Sequence, residues 1–242
     1  MEKSYIWGID LGGTKIECAV LSAADLTQVI ARERIDTEAS KGYDHIISQV
    51  ALLVSRVSQK LGVSPTRIGF ATPGVLNPAT QTMKNCNTTS MNGRPMAADL
   101  TKALGVEVRL ANDANCFALA ETHLGAVQEV NPKAEVVFGI IMGTGVGGGL
   151  VVHGQVINGL HGIGGEWGHN ILEEGGKACY CGKSGCVEHV ISGPALEEFY
   201  FAESGQKLRM PQILQAHLAG TDIHASATIE RMLENFGRAV ST

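Results

Sequence analysis

A chain of 242 residues with 44% hydrophobic and 18% charged residues has an ordinary globular composition, and its length fits two modest lobes better than one minimal core. The formal net charge of −5 includes no Lys/Arg block able to track a phosphate backbone, which argues against nucleic acid as a partner. No run reaches the roughly 18 consecutive apolar residues of a membrane span, and Met1-Glu2-Lys3 leads into a strand without a signal-peptide pattern, so no membrane partner and a cytoplasmic protein are expected.

In chain order, residues 4–35 read as three strands. Tyr5 to Ile9 runs into Asp10-Leu11-Gly12-Gly13-Thr14-Lys15; Ile16, Cys18 and Val20 then alternate, and Val29-Ile30-Ala31 follows. A helix is predicted over 41–61, where Tyr43, Ile46, Ile47, Val50, Leu53, Val54, Val57 and Leu61 keep one face. A buried strand from Ile68 to Ala71 ends at Thr72-Pro73-Gly74, and an Asn- and Thr-rich loop covers 77–93. A helix from Pro95 to Leu104 and a strand from Val106 to Ala111 come next. The following helix is predicted to start at Asp113 and to carry Phe117, Ala120, Leu124 and Val127.

After Asn131-Pro132 the pattern restarts with the apolar strand Val136 to Met142, a glycine turn, and a strand from Gly149 to His153. Strand, Gly-Thr turn, strand therefore occurs twice. That repetition predicts a duplicated architecture of two α/β lobes with a cleft between them, residues 1–112 and 113–242. Residues 160–193 read as irregular and glycine-rich, and helices fill 207–240.

Both glycine turns suit phosphate oxygens. Gly12-Gly13-Thr14-Lys15 offers unobstructed backbone N–H groups, a hydroxyl and an ammonium; Gly143-Thr144-Gly145-Val146-Gly147-Gly148-Gly149 offers the same without the Lys. Neither is a Walker A loop or a dinucleotide fingerprint. Tight hairpin turns would use the same glycines, and only the repetition in equivalent places favours phosphate. Asn112-Asp113-Ala114-Asn115, at a strand end and helix start, has two readings. Asp and Asn are favoured N-caps; equally, a carboxylate there is held ionised by the helix dipole and can accept a proton from a substrate hydroxyl.

Glu166-Trp167-Gly168-His169 is followed by Cys179-Tyr180-Cys181-Gly182-Lys183-Ser184-Gly185-Cys186-Val187-Glu188. His169, Cys179, Cys181 and Cys186 offer a complete tetrahedral zinc set with no open position, so a structural metal is expected; the Cys-x-Cys step is tighter than the usual spacer, and incidental thiols or a redox pair are the alternatives. Cys18, Cys86 and Cys116 stand alone in apolar surroundings as reduced core residues. A metal at that loop would also fix Glu166 and Glu188, which suit vicinal sugar hydroxyls. His161 and His189 read as incidental polar residues, and Trp167 as a packing residue rather than a sugar-stacking face.

Together these segments resemble the ROK family of sugar kinases and sugar-responsive repressors, in the family's order and over residues 5–193. Lys84-Asn85-Cys86-Asn87-Thr88-Thr89 with Asn92-Gly93-Arg94-Pro95, and the Cys-Tyr-Cys-Gly-Lys step, look most like the bacterial fructokinase, mannokinase and glucokinase members; N-acetylhexosamine kinases are the alternative. The resemblance implies a two-lobed, actin-like (ribonuclease-H-like) α/β fold that phosphorylates a free hexose, at its 6-hydroxyl, with ATP and magnesium. ATP would lie against Asp10, Gly12, Gly13, Thr14 and Lys15 and against Gly143, Thr144, Gly145 and Gly147, with the magnesium near Asp10. Asp113 matches the catalytic base. Asn112, Glu166, His169 and Glu188 match sugar contacts together with Asp113, as do Gly74 and Asn87, and His169 serves both zinc and a hydroxyl. A homodimer is implied as well.

Family members also carry a C-terminal adenosine-binding segment of about 50 residues. This chain ends at Thr242 inside a predicted helix, so a truncated C-terminus is expected, with a non-catalytic sugar-binding remnant as a further alternative. The family's repressors place a helix-turn-helix before the first glycine turn, where only a few residues stand here.

Overall fold

The computed structural model describes residues 4–241. It divides into two compact units, Met1–Val137 with Leu150–Gly164, and Phe138–Gly149 with Gly165–Thr242.

The first unit begins with β1 (Tyr5–Leu11), β2 (Lys15–Ser22) and β3 (Val29–Asp36), followed by α1 (Tyr43–Leu61). Then come β4 (Arg67–Thr72), the short ribbon β5 (Val75–Leu76) and β6 (Met83–Lys84), α2 (Met96–Leu104), β7 (Glu107–Asn112), α3 (Asp113–Leu124) and α4 (Ala126–Val130). Five strands form one sheet in the order β3-β2-β1-β4-β7. The first three make an antiparallel meander, and β4 and β7 run parallel to β1.

Period-2 alternation decides which face is buried. Trp7, Ile9 and Leu11 of β1 point to the same side as Ile68 and Phe70 of β4, and all five are buried. α1 covers them with Tyr43, Ile46, Val50, Leu53, Val54 and Val57, and α2 adds Met96 and Leu100. Burying each large side chain contributes about 1.5–3 kcal/mol. α1 stops at Gly62, whose φ of 66° is the left-handed cap, its N–H bonded to Ser58 O.

The structure departs from three expectations here. The loop expected over 77–93 contains β6 and a 3₁₀ turn at Thr89–Met91. The helix starting at Asp113 ends at Leu124, where Gly125 adopts a non-helical conformation, and its inward face is Ala114, Asn115, Ala118 and Thr122. Phe117 and Leu124 are 37% and 50% exposed. Small residues let this helix lie close to the strands it packs on, so the larger apolar residues do not mark its buried side. The boundary expected at Asn112 falls inside the first unit. There the Asn112 side chain accepts the Asn115 N–H at 3.2 Å and donates to Gly74 O at 3.4 Å, tying the β7–α3 junction to the turn between β4 and β5.

The second unit includes parts of β8 (Val136–Met142) and β9 (Val146–Val152), which with β10 (Gln155–Val156) form a three-stranded sheet in the order β10-β9-β8. β8–β9 is thus a second glycine-turn hairpin like β1–β2, the repetition expected from sequence. The unit continues through a long irregular segment to α5 (Glu188–Ile191), α6 (Gly193–Ser204), α7 (Met210–Leu218) and α8 (Ile223–Val240). α6 lies ahead of the expected helical region. Its start signal is nonetheless in the sequence: Ser192 Oγ accepts the Ala195 N–H as N-cap, and Pro194 occupies the first turn. One core gathers Val146, Trp167, Val187, Val190, Ile191 and Ala239; another gathers Tyr200, Ile213, Ala225 and Ile229. Among the described residues no helix is long and apolar enough to cross a membrane.

Candidate functional site

In the first unit the β1–β2 turn is braced from beneath. Gly12 N–H donates to Lys15 O at 2.9 Å, which closes the turn. The fully buried Thr37 donates its hydroxyl to Gly12 O at 2.7 Å and its N–H to Thr14 O at 2.9 Å. Thr14 and Lys15 are left facing solvent. Asp10 lies at the carboxyl end of β1, just before this turn. Its carboxyl pKa is pushed up, first by desolvation and then by the negative charge of Glu17, with Arg34 pulling the other way.

Asp113 stands at the carboxyl end of β7. Register places Asp10 beside Ala71 of β4 and Ala71 beside Ala111 of β7, so the two acids leave strands two positions apart, roughly 10 Å at the backbone. Asn112, in an extended conformation, is the N-cap of α3, and Asp113 is its first helical residue. The two readings of this motif therefore fall on neighbouring residues: Asn112 caps, and Asp113 does not need to. Asp113 Oδ1 accepts the Ala114 N–H at 2.8 Å.

The expectation that the helix dipole holds Asp113 ionised is outweighed. Desolvation is the largest influence and raises its pKa; the Ala114 N–H lowers it, and the charge on Asp10 raises it again. Both carboxylates touch solvent, yet enough protein surrounds them to disfavour charge. A base whose pKa approaches the working pH accepts a proton better than an ordinary aspartate does.

Gly74 has φ +113°, and a Cβ there would lie 2.6 Å from Lys84 O and 2.7 Å from Cys86 Sγ, so this close crossing admits only glycine. Asn87 is exposed on the segment that follows. Sequence reasoning missed Asn92, whose side chain accepts the Cys86 N–H at 2.9 Å and donates to Cys86 O at 3.0 Å, fixing the segment that carries Asn87.

In the second unit the β8–β9 turn is closed by Gly143 N–H to Gly145 O at 2.9 Å. Thr144 at its tip is exposed. Two further bonds hold it: Gly193 N–H donates to Gly143 O at 2.8 Å, and Val146 N–H donates to Glu188 Oε2 at 3.0 Å. Trp167 is 6% exposed, packs edge-on against Phe138 and Phe236, and donates its indole N–H to Gly147 O at 2.8 Å. It is a packing residue. Gly168 lies so close to β9 that a Cβ would come within 1.9 Å of Val146 O. The Gly165-Glu166-Trp167-Gly168-His169 segment is thereby laid flat on the hairpin, with Glu166 half-buried and His169 buried.

The four predicted metal ligands come together. One ligand atom from each of His169, Cys179, Cys181 and Cys186 lies within 4.8 Å of the others. Cys181 Sγ and Cys186 Sγ are 3.6 Å apart, as are Cys179 Sγ and His169 Nδ1. A tetrahedron with Zn–S of about 2.3 Å has edges of roughly 3.7 Å, so the donor set and its spacing fit zinc. The tight Cys-x-Cys step is explained by a turn in which Cys179 N–H donates to Lys183 O and Gly182 N–H to Cys179 O. Burial lowers the His169 pKa and so favours the neutral imidazole a metal requires.

His169 Nδ1 faces the thiols, and Nε2 lies 3.2 Å from the Tyr180 hydroxyl, the two rings meeting edge to face. Tyr180 is the second residue that sequence reasoning missed. Its phenol pKa is raised by burial and then by the charges of Glu188, Cys179 and Glu166, so it stays protonated. Its position between two ligand cysteines was the available signal.

The chain can now be set beside known proteins. The model of the ROK family matches residues 6–242. The N-acetyl-D-glucosamine kinase of Vibrio vulnificus (strain YJ016) is 34% identical over 238 residues, covering 94% of this chain and 76% of that enzyme. The structure of a ROK hexokinase from Thermus thermophilus superposes with a TM-score of 0.80 at 32% identity, over 98% of this chain and 76% of that one. For the fold alone, a ROK family glucokinase from Streptomyces griseus, in complex with glucose and AMPPNP, gives a TM-score of 0.81 at 23% identity, over 98% of this chain and 78% of that one. With its actin-like α/β fold, the chain belongs to the ROK family and is an ATP-dependent sugar kinase.

Proposed function

We propose that the chain transfers the terminal phosphoryl group of ATP to the 6-hydroxyl of an N-acetylhexosamine, N-acetyl-D-glucosamine first among them, with Asp113 as the base. The sequence expectation put fructokinases, mannokinases and glucokinases ahead. The 34% identity with an N-acetyl-D-glucosamine kinase over 94% of the chain favours the alternative, and a free hexose becomes the second choice.

The observation that carries the mechanism is the division of labour at the start of α3. Asn112 satisfies the helix end, which leaves Asp113 in place with a raised pKa to take the hydroxyl proton as the new bond forms. The phosphates of ATP would be received by Gly12, Gly13, Thr14 and Lys15 and by Gly143, Thr144, Gly145 and Gly147. Magnesium, when bound near Asp10, would supply charge neutralisation on the phosphates. Asn112, Glu166, His169 and Glu188 would hold sugar hydroxyls, with Gly74 and Asn87 shaping the sugar-side loop. Zinc would be held by His169, Cys179, Cys181 and Cys186, fixing the loop that carries Glu166 and Glu188 rather than entering the reaction. The same reading takes the enzyme as cytoplasmic and homodimeric, the latter open to sedimentation of the purified chain.

A phosphate-transfer assay with labelled ATP and a panel of N-acetylglucosamine, N-acetylmannosamine, glucose, mannose and fructose tests the substrate. The expected result is a kcat/KM for N-acetylglucosamine at least about tenfold above the others, the discrimination that one well-made polar contact supplies. Fructose or mannose leading the panel would restore the first expectation.

A further inference from the structure

Glu188 accepts a hydrogen bond that its proposed sugar role does not use. Its Oε2 takes the Val146 N–H at 3.0 Å, at the point where the second glycine turn re-enters β9. The same oxygen lies 2.5 Å from where a Cβ on Gly145 would stand. Gly145 has no left-handed φ that would demand glycine. The carboxylate is the neighbour that a side chain there would have to displace.

The surroundings make this contact rigid. Glu188 is the first residue of α5, two positions after the ligand Cys186. Val187 N–H is anchored to Asn170 O at 3.0 Å, and beyond α5 Gly193 N–H holds Gly143 O at 2.8 Å. The turn is therefore gripped at both shoulders by one short stretch of chain: at Val146 by Glu188, and at Gly143 by Gly193. Among the described residues no hydrogen bond reaches Glu188 Oε1, the oxygen available to a sugar hydroxyl.

We infer that Glu188 is a positioning residue for the nucleotide as well as a sugar contact: one carboxylate oxygen sets the phosphate-receiving turn while the other meets the sugar. The inference rests on the proposed placing of ATP phosphates at this turn. A charge-assisted bond to a backbone N–H is about twice as strong as a neutral one, so losing it frees the turn to sample shapes that do not receive phosphate. Sugar and nucleotide sites then share one carboxylate, and displacing it disturbs both.

The test measures binding of a non-hydrolysable ATP analogue with magnesium by calorimetry, without sugar, alongside KM for ATP and for sugar in turnover. Metal content and circular dichroism accompany each variant. Glu188→Ala is expected to weaken analogue binding by about tenfold. Glu188→Gln keeps an acceptor for Val146 N–H, so its analogue binding stays within about threefold while the sugar KM rises by about tenfold or more. Gly145→Ala weakens the analogue in the native background. Combined with Glu188→Ala it adds less than about twofold, because the space is then open.

Analogue binding within about twofold of the parent in Glu188→Ala, or an equal loss from Gly145→Ala in both backgrounds, overturns the inference. A sugar KM unmoved in Glu188→Gln while the Ala variant loses nucleotide would overturn the sugar role and leave the turn role standing. Should Glu188→Ala fail to fold, Glu188→Asp keeps the charge but draws it back by one methylene, and the same two comparisons decide.

Discussion

Asn112 Oδ1 receives the Asn115 N–H at 3.2 Å, and the neighbouring Asp113 is thereby spared the work of capping the start of α3. Replacing the cap should therefore injure stability, besides removing a proposed sugar contact. Asn112→Ala is expected to cost about 1 kcal/mol in urea denaturation, and Asn112→Ser, which restores a capping oxygen, to recover most of it. If both variants unfolded at the parent's urea midpoint, the cap would not be holding this helix end.

Asp113→Asn retains shape and hydrogen bonding and removes the proton acceptor. In steady-state turnover kcat should fall by about 100-fold or more, with sugar affinity changed by less than about tenfold. A strongly raised KM with kcat within a few-fold of the parent would make Asp113 a binding residue, and Glu166 or Glu188 the next candidates for the base.

The raised pKa of Asp113 has a sign that can be checked twice. In the folded chain, desolvation and the Asp10 charge favour the protonated carboxyl, so activity should be lost on acidification at a pH above the ordinary aspartate value of about 3.9. For stability the group favours folding most below that value, and this contribution disappears as pH rises through the folded pKa. Asp113→Asn, which stays neutral, should thus melt at a higher temperature than the parent at pH 7, and the advantage should shrink towards pH 4. An advantage constant across that range would assign it to packing rather than to charge.

The metal loop makes the fourth prediction. Purified protein should contain one zinc per chain by elemental analysis; well under half an equivalent would remove the metal from the account. Cys181→Ser should lower that content and speed backbone hydrogen exchange across residues 165–190, because metal binding is part of the folding energy of such a loop. Unchanged exchange with the metal gone would show that the hairpin contacts of Gly168 suffice without it.

Sequence made local chemistry legible and missed contacts that cross the chain. The first sheet followed from alternation in β1 and β2, and α1 from a helical stripe of eight apolar residues. The metal ligands were readable because three of the four lie within eight residues. α3 was misread because its inward side is made of Ala114, Asn115, Ala118 and Thr122, a pattern of small size rather than hydrophobicity. The bond from Val146 to Glu188 joins residues 42 apart, and no periodicity announces it. Nor does composition reveal that desolvation would overrule the helix dipole at Asp113, since that balance depends on how much protein stands around one carboxyl group.

The buried place of Trp167 has a practical consequence. The chain has two tryptophans, Trp7 in β1 of the first unit and Trp167 against the β8–β9 turn of the second. Each unit thus carries its own intrinsic fluorophore. The Trp167 indole is hydrogen-bonded to Gly147 O, at the start of β9 beside the turn proposed to receive phosphate. Exchanging Trp7 for Phe would leave a single emission signal from that one backbone carbonyl's neighbourhood, so the proposed binding of nucleotide at this turn could be followed in real time without any attached dye.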